Sequence, residues 1–196
     1  GDSAAVASLF YALSNDGGQT WSDNRTLTAR ACPCCRVTAL ADSTGLVAVA
    51  YRSAVGDLRD PALAVSHDRG ASFALDTVVA ADGWRLTGCP VEGPSLTMDR
   101  SGGGHYAWYT GAGKDGAWIA PWRAAGGIVG LKRALSDSLV SAHHPQLARL
   151  GTATLIAVEN STRAGQGHGG IAVRALESDG ALTPWLFLGA DAGHAW

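Results

Sequence analysis

Four cysteines are the residues whose type and spacing point most directly to chemistry. Cys32, Cys34 and Cys35 sit almost side by side, and Cys89 follows 54 residues after Cys35. Thiols grouped in this way have two uses. Oxidised, they staple the chain, with Cys89 bridged to Cys34 or Cys35 and Cys32 left as a free thiol or as a member of a second bridge. Reduced, Cys32, Cys34, Cys35 and Cys89 offer soft sulfur ligands for copper or zinc. The run C-x-C-C differs from the usual C-x-x-C zinc knuckle, and an oxidising compartment favours the bridge. Histidines form a second set: His143-His144 before Pro145, His168 in the Gly-rich run 165–170, and His194. Loop histidines of this kind are ordinarily solvated.

Composition then says what must position these groups. The chain has 196 residues, 46 % hydrophobic and 16 % charged, which is a folding composition. Its net charge of −2 lacks the basic excess of a general nucleic-acid or membrane-surface binder. No apolar run approaches the roughly 18–20 residues of a membrane-spanning helix. There are 26 Gly, 7 Trp, and 2 Lys against 13 Arg. Apolar residues come in short runs bounded by Gly, Asp, Ser or Pro, the mark of short strands and tight turns.

The runs repeat. Ser14, Asp16, Gly18, Thr20 and Trp21 spell S-x-D-x-G-x-T-W, and Ser66, Asp68, Gly70, Ser72 and Phe73 spell S-x-D-x-G-x-S-F, 52 residues later. Each box reads as a hairpin turn. The Asp accepts backbone N–H groups, the Gly supplies a left-handed position, and Trp21 and Phe73 are expected to pack inward. Asp16 and Asp68 are thus structural. A second turn, at 42–45 and again at 99–102, leads into an apolar strand each time. Units of about 50 residues with four antiparallel strands are blades of a β-propeller. The expectation is an all-β, single-domain fold over 1–196 with about 3.5 blades, near 1–31, 32–88, 89–142 and 143–196. Such a set is incomplete, either a piece of a larger propeller or completed by another chain, because open edges and apolar faces need cover. One repeat along the chain is one step around the ring. Cys35 and Cys89, each just before the first strand of a blade, should therefore meet, and His143 or His144 takes the same position one blade later.

The boxes resemble the Asp-box (BNR) repeats of sialidase-like β-propellers. More closely, residues 10–125 are similar to bacterial secreted sialidase-like proteins carrying a C-x-C-C element and a G-C-P-x-x-G-P segment. The matching residues are Cys32-Pro33-Cys34-Cys35-Arg36, Tyr51-Arg52, Arg59-Asp60, Asp82-Gly83-Trp84 and Gly88-Cys89-Pro90-Val91-Glu92-Gly93-Pro94. The resemblance implies a six-bladed propeller in the periplasm or outside the cell. A sialidase site implies three arginines on a substrate carboxylate, a Tyr nucleophile with a Glu partner, and an Asp acid/base. Arg30, Arg36, Arg52, Arg59 and Arg85 could supply the guanidinium groups. Tyr51, Tyr106 and Tyr109 could supply the phenol, and Glu92 or Glu159 the carboxylate. Arg52, Tyr51, Glu92 and Arg59 lead these candidates. The F/Y-R-I-P segment of the first sialidase blade is absent.

Three functional expectations follow. The first is a secreted or periplasmic, non-catalytic interaction or structural subunit, with a protein partner or second chain over the open edge. The second is a glycan-binding or sialidase-like glycan-hydrolysing protein, with Trp84, Trp108 and Tyr109 stacking on sugars. The third is binding of a soft metal, copper above all, at the cysteine cluster.

Overall fold

The computed structural model describes residues 7–113, 115–138, 140–160 and 170–188; His168 and His194 lie outside the described residues. The chain is all-β, and no helix is present among the described residues, so none is long and apolar enough to cross a membrane. The strands belong to two compact units, Gly1–Val91 and Glu92–Trp196.

The first unit holds two sheets. β1 (Ala7–Tyr11) and β2 (Arg25–Ala31) form an antiparallel pair, and β3 (Thr38–Ala41), β4 (Val47–Arg52), β5 (Pro61–Ser66) and β6 (Leu75–Val78) form a four-stranded meander. Small and β-branched residues make β4 and β5 strands that are buried almost throughout. Ala31, Val49, Tyr51, Ala62 and Ala64 form the apolar core here, with Leu9, Leu27, Val47 and Phe73 packed around them.

The second unit also holds two sheets. β7 (Ser95–Leu96), β8 (Gly103–Thr110), β9 (Gly116–Arg123), β10 (Gly127–Ile128) and β11 (Arg133–Ala134) make one; β12 (Ala142–Leu150), β13 (Ala153–Asn160), β14 (Gly170–Leu176) and β15 (Leu186–Leu188) make the other. The first of these has five strands where the repeat predicts four. The outer strand is broken in two: β10 pairs with β9 at Trp122 and Arg123, and β11 pairs with the same strand at Trp118 and Ile119. Gly130, at φ +83°, turns the chain between the two halves. Leu135, Ile119, Ile156, Val158 and Ala172 lead the core of this unit.

The two boxes are equivalent turns. The first joins β1 to β2 and the second joins β5 to β6. In the first, Gly18 N–H donates to Ser14 Oγ at 2.7 Å, and Thr20 donates to Asp16 through N–H and hydroxyl at 2.9 and 2.6 Å. In the second, Gly70 N–H donates to Ser66 Oγ at 2.8 Å, and Ser72 donates to Asp68 at 2.9 and 2.6 Å. These donors hold both aspartates well below the usual range, at about 2. The aromatic ends differ, which corrects the expectation for Trp21. Phe73 packs on the core with Tyr11 edge-on at 5.1 Å. Trp21 is 65 % exposed, and its indole N–H donates to Gly18 O. The second turn type also recurs: Asp42 accepts from Thr44 and Leu46, and Asp99 accepts from Ser101 and Gly103.

Candidate functional site

In the first unit, five short motifs converge around the cysteines through backbone ties. Cys32 N–H donates to Arg52 O at the end of β4, and Ser53 N–H donates to Asp60 O. Asp60 Oδ1 accepts from Gly83 N–H at 2.9 Å and Trp84 N–H at 3.4 Å, while Arg59 N–H donates to Trp84 O. The Arg59 guanidinium donates to the carbonyls of Gly56, Leu58 and Gly88, the last being the neighbour of Cys89. Arg52 donates to Arg59 O and stacks over Trp84, its guanidinium carbon 5.0 Å from a ring centroid. Arg52 and Arg59 are 1 % and 2 % exposed. They are internal cations that hold loop carbonyls in place.

Cys34 and Cys89 form a disulfide with Cα atoms 6.2 Å apart. Cys32 and Cys35 are free thiols, both buried. Their sulfurs lie 2.7 Å apart, and Cys32 Sγ is 3.5 Å from Cys34 Sγ. The contact with Cys35 lowers the Cys32 pKa, and the same contact, with burial, pushes that of Cys35 up. Arg59 adds to the lowering at Cys32. A small pocket lies against this pair, lined by Cys32, Pro33, Cys35, Val37, Tyr51 and Arg52. Cys32 and Cys35 are themselves spaced C-x-x-C, nested inside C-x-C-C. That spacing is visible in the sequence and joins the two cysteines that Cys89 does not take.

The other candidates in this unit stand apart from such chemistry. Tyr51 O–H donates to Asp76, and burial with that carboxylate pushes its phenol up, the reverse of an activated nucleophile. Arg30 meets Asp76 at 3.4 Å, and Arg85 meets Asp57 at 2.6 Å, both arginines being exposed. Arg36 lies next to the cysteine cluster in sequence and is half-buried.

The second unit holds a separate cluster that spacing alone did not bring together. Glu92 is 4 % exposed. Its Oε1 is 3.1 Å from His143 Nδ1, and its Oε2 accepts from His144 N–H at 2.9 Å and lies 3.3 Å from His144 Nδ1. The Glu92 contact raises the His143 pKa above its ordinary value against the opposing effect of burial. His144, at φ +46°, is in the left-handed region, which turns its ring toward Glu92 on one side and Glu159, at 3.7 Å, on the other. Tyr109 stacks on His143 at 4.7 Å and its hydroxyl donates to Asp115 at 2.5 Å. Trp108 and Tyr106 are fully buried.

No family model matches the chain, and no curated protein matches it in sequence. Among solved structures it is similar to the Bacteroides ovatus protein Xyloglucan PUL GH43B, with 14 % identity and a TM-score of 0.50 over 80 % of this chain and 29 % of that one. It is likewise similar to an alpha-L-arabinofuranosidase from Clostridium thermocellum, with 14 % identity and a TM-score of 0.50 over 79 % of this chain and 50 % of that one. The chain thus spans half the length of these proteins or less. These neighbours are glycoside hydrolases with five-bladed β-propellers, where the sequence resemblance implied a six-bladed sialidase type. Likeness at this identity is a likeness of fold, and the fold is the β-propeller type.

Proposed function

We propose that the chain is a glycan-binding, non-catalytic part of a secreted or periplasmic propeller related to the sialidase-like, Asp-box proteins. The observation that carries this reading is the network on Glu92. A buried carboxylate engages two successive histidines, so the His144 ring edge and the exposed Glu159 carboxylate form a fixed polar pair suited to sugar hydroxyls. The shared fold with glycoside hydrolases supports a carbohydrate ligand, and the matching box turns support the sialidase-like relationship. The commitment of Tyr51, Arg52 and Arg59 to internal partners supports binding without turnover. A glycan array followed by calorimetry tests it. At least one oligosaccharide should bind, and His144→Ala and Glu159→Gln should each weaken it about tenfold, roughly 1.4 kcal/mol. Absence of binding, or undiminished binding in both variants, overturns the reading. Hydrolysis of an aryl glycoside overturns its non-catalytic part.

A partner chain is the second reading, and β15 favours it. Leu186, Phe187 and Leu188 are all exposed on this strand, whose described hydrogen-bonded neighbour is β14. Light scattering should find an oligomer that Phe187→Asp converts to monomer; a monomer at all concentrations removes this reading.

A further inference from the structure

Outside the Glu92 network, the chemistry not yet used is the thiol pair of the first unit. Three observations bear on it. The first is distance. The Cys32 and Cys35 sulfurs lie 2.7 Å apart. Non-bonded heavy atoms settle at about 3.5–4 Å, whereas the sulfurs of a disulfide are about 2.05 Å apart. The two sulfurs are thus already inside non-bonded separation, and a bond between them asks for a small further approach.

The second is the local backbone. Pro33 and Cys34 make the turn that separates the two cysteines, and the Cys32 N–H on Arg52 O ties the start of that turn to β4. Proline is favoured at the second position of a four-residue turn, whose ends lie within about 7 Å of each other. That span is within the reach of a disulfide. The third is the choice of partner. Cys32 Sγ is 3.5 Å from Cys34 Sγ, but Cys34 is joined to Cys89. With four cysteines in the chain, Cys32 and Cys35 are left to each other. Both line one small pocket with Pro33 and Tyr51, which gives a small reagent an approach to the sulfurs.

We propose that Cys32 and Cys35 are a second oxidation site, closing to a disulfide across the Pro33-Cys34 turn beside the Cys34–Cys89 bridge. The oxidant class is a small-molecule disulfide. In thiol–disulfide exchange through a mixed disulfide, two S–H bonds break and one S–S bond forms within the chain. The two electrons and two protons leave on the reagent, which departs as two thiols. The bridge takes the last two thiols of the cluster and so leaves no thiolate there for a metal. It stands independently of the glycan reading, since it uses no residue of the second unit.

The test treats the folded, purified chain with excess oxidised glutathione. Remaining thiols are then blocked with N-ethylmaleimide in denaturant, and unreduced peptides are mapped by fragmentation mass spectrometry. The treated chain should take up no maleimide, with a mass two hydrogens below that of the chain bridged at Cys34–Cys89 alone. Fragments should join Cys32 to Cys35 and Cys34 to Cys89. Cys32→Ser and Cys35→Ser should each keep the Cys34–Cys89 bridge and carry one sulfur that takes maleimide or glutathione. Two maleimides on the treated wild-type chain overturn the proposal, as does glutathione retained on it. So does a map that joins Cys89 to Cys32 or to Cys35. The wild-type map decides even where a serine variant fails to fold.

Discussion

Asp68 shows how much of this fold is held by single side chains. Its carboxylate takes the N–H and hydroxyl of Ser72 and the hydroxyl of Ser66, closing the turn between β5 and β6. Because those bonds favour the ionised form, its pKa falls from 3.8 to about 2 on folding. The sign follows from linkage: the stabilisation is complete above 3.8 and is lost as pH falls through about 2. Asp68→Ala should lower Tm at neutral pH and flatten the Asp68 contribution to acid unfolding across that window, as read by circular dichroism. His143 behaves oppositely. Its raised pKa means that the Glu92 contact stabilises fully below 6.5 and fades as pH rises through the raised folded value. Proton NMR should find the His143 titration above 6.5 in the native protein and moved downward in Glu92→Gln, where burial is opposed only by the more modest pull of Asp115 and Glu159.

At the scale of elements, the strands are cut to length by turns, and β8 lies close against the segment leaving β7. Thr97 N–H donates to His105 O, and a Cβ on Gly104 would run into the Thr97 carbonyl. Gly126, in the turn between β9 and β10, has nothing within 4 Å of the same position. Gly104→Ala should therefore cost about 1–3 kcal/mol in urea unfolding, as overpacking against backbone does. Gly126→Ala should be close to neutral, and equal effects of the two would contradict this packing. The box motif dictates the turn in both copies but not the burial of its aromatic end: Phe73 packs edge-on against Tyr11, whereas Trp21 lies exposed with its indole N–H on the Gly18 carbonyl of its own turn.

For the molecule as a whole, the disulfide is the longest-range covalent constraint, with Cys34 and Cys89 separated by 55 residues in sequence. Closing a loop of that length removes unfolded-state entropy equivalent to about 4 kcal/mol in the chain-entropy description. Reduction, or Cys89→Ser, should lower the urea-unfolding free energy by about that amount, with amide-exchange protection lost within residues 7–91. A change below about 1 kcal/mol would mean that the backbone ties around Arg59 and Asp60 already hold this loop.

What the sequence determined by itself was periodic and local. Strand-sized apolar runs, the two boxes and the Asp42 and Asp99 turns are written within a few consecutive residues, because strand alternation and side-chain-to-backbone turns act over that range. The all-β propeller class follows from their repetition, as does the approach of Cys89 to the Cys32–Cys35 run. Tertiary structure decided the rest. It selected Cys34 over Cys35 as the partner of Cys89, leaving Cys32 and Cys35 as a thiol pair. It turned Arg52 and Arg59, promising as substrate cations, into buried supports for loop carbonyls. It joined Glu92 to His143 and His144 across some 50 residues. Each of these choices depends on which groups are buried together, and a charge shut away from water must find a partner wherever in the sequence that partner lies.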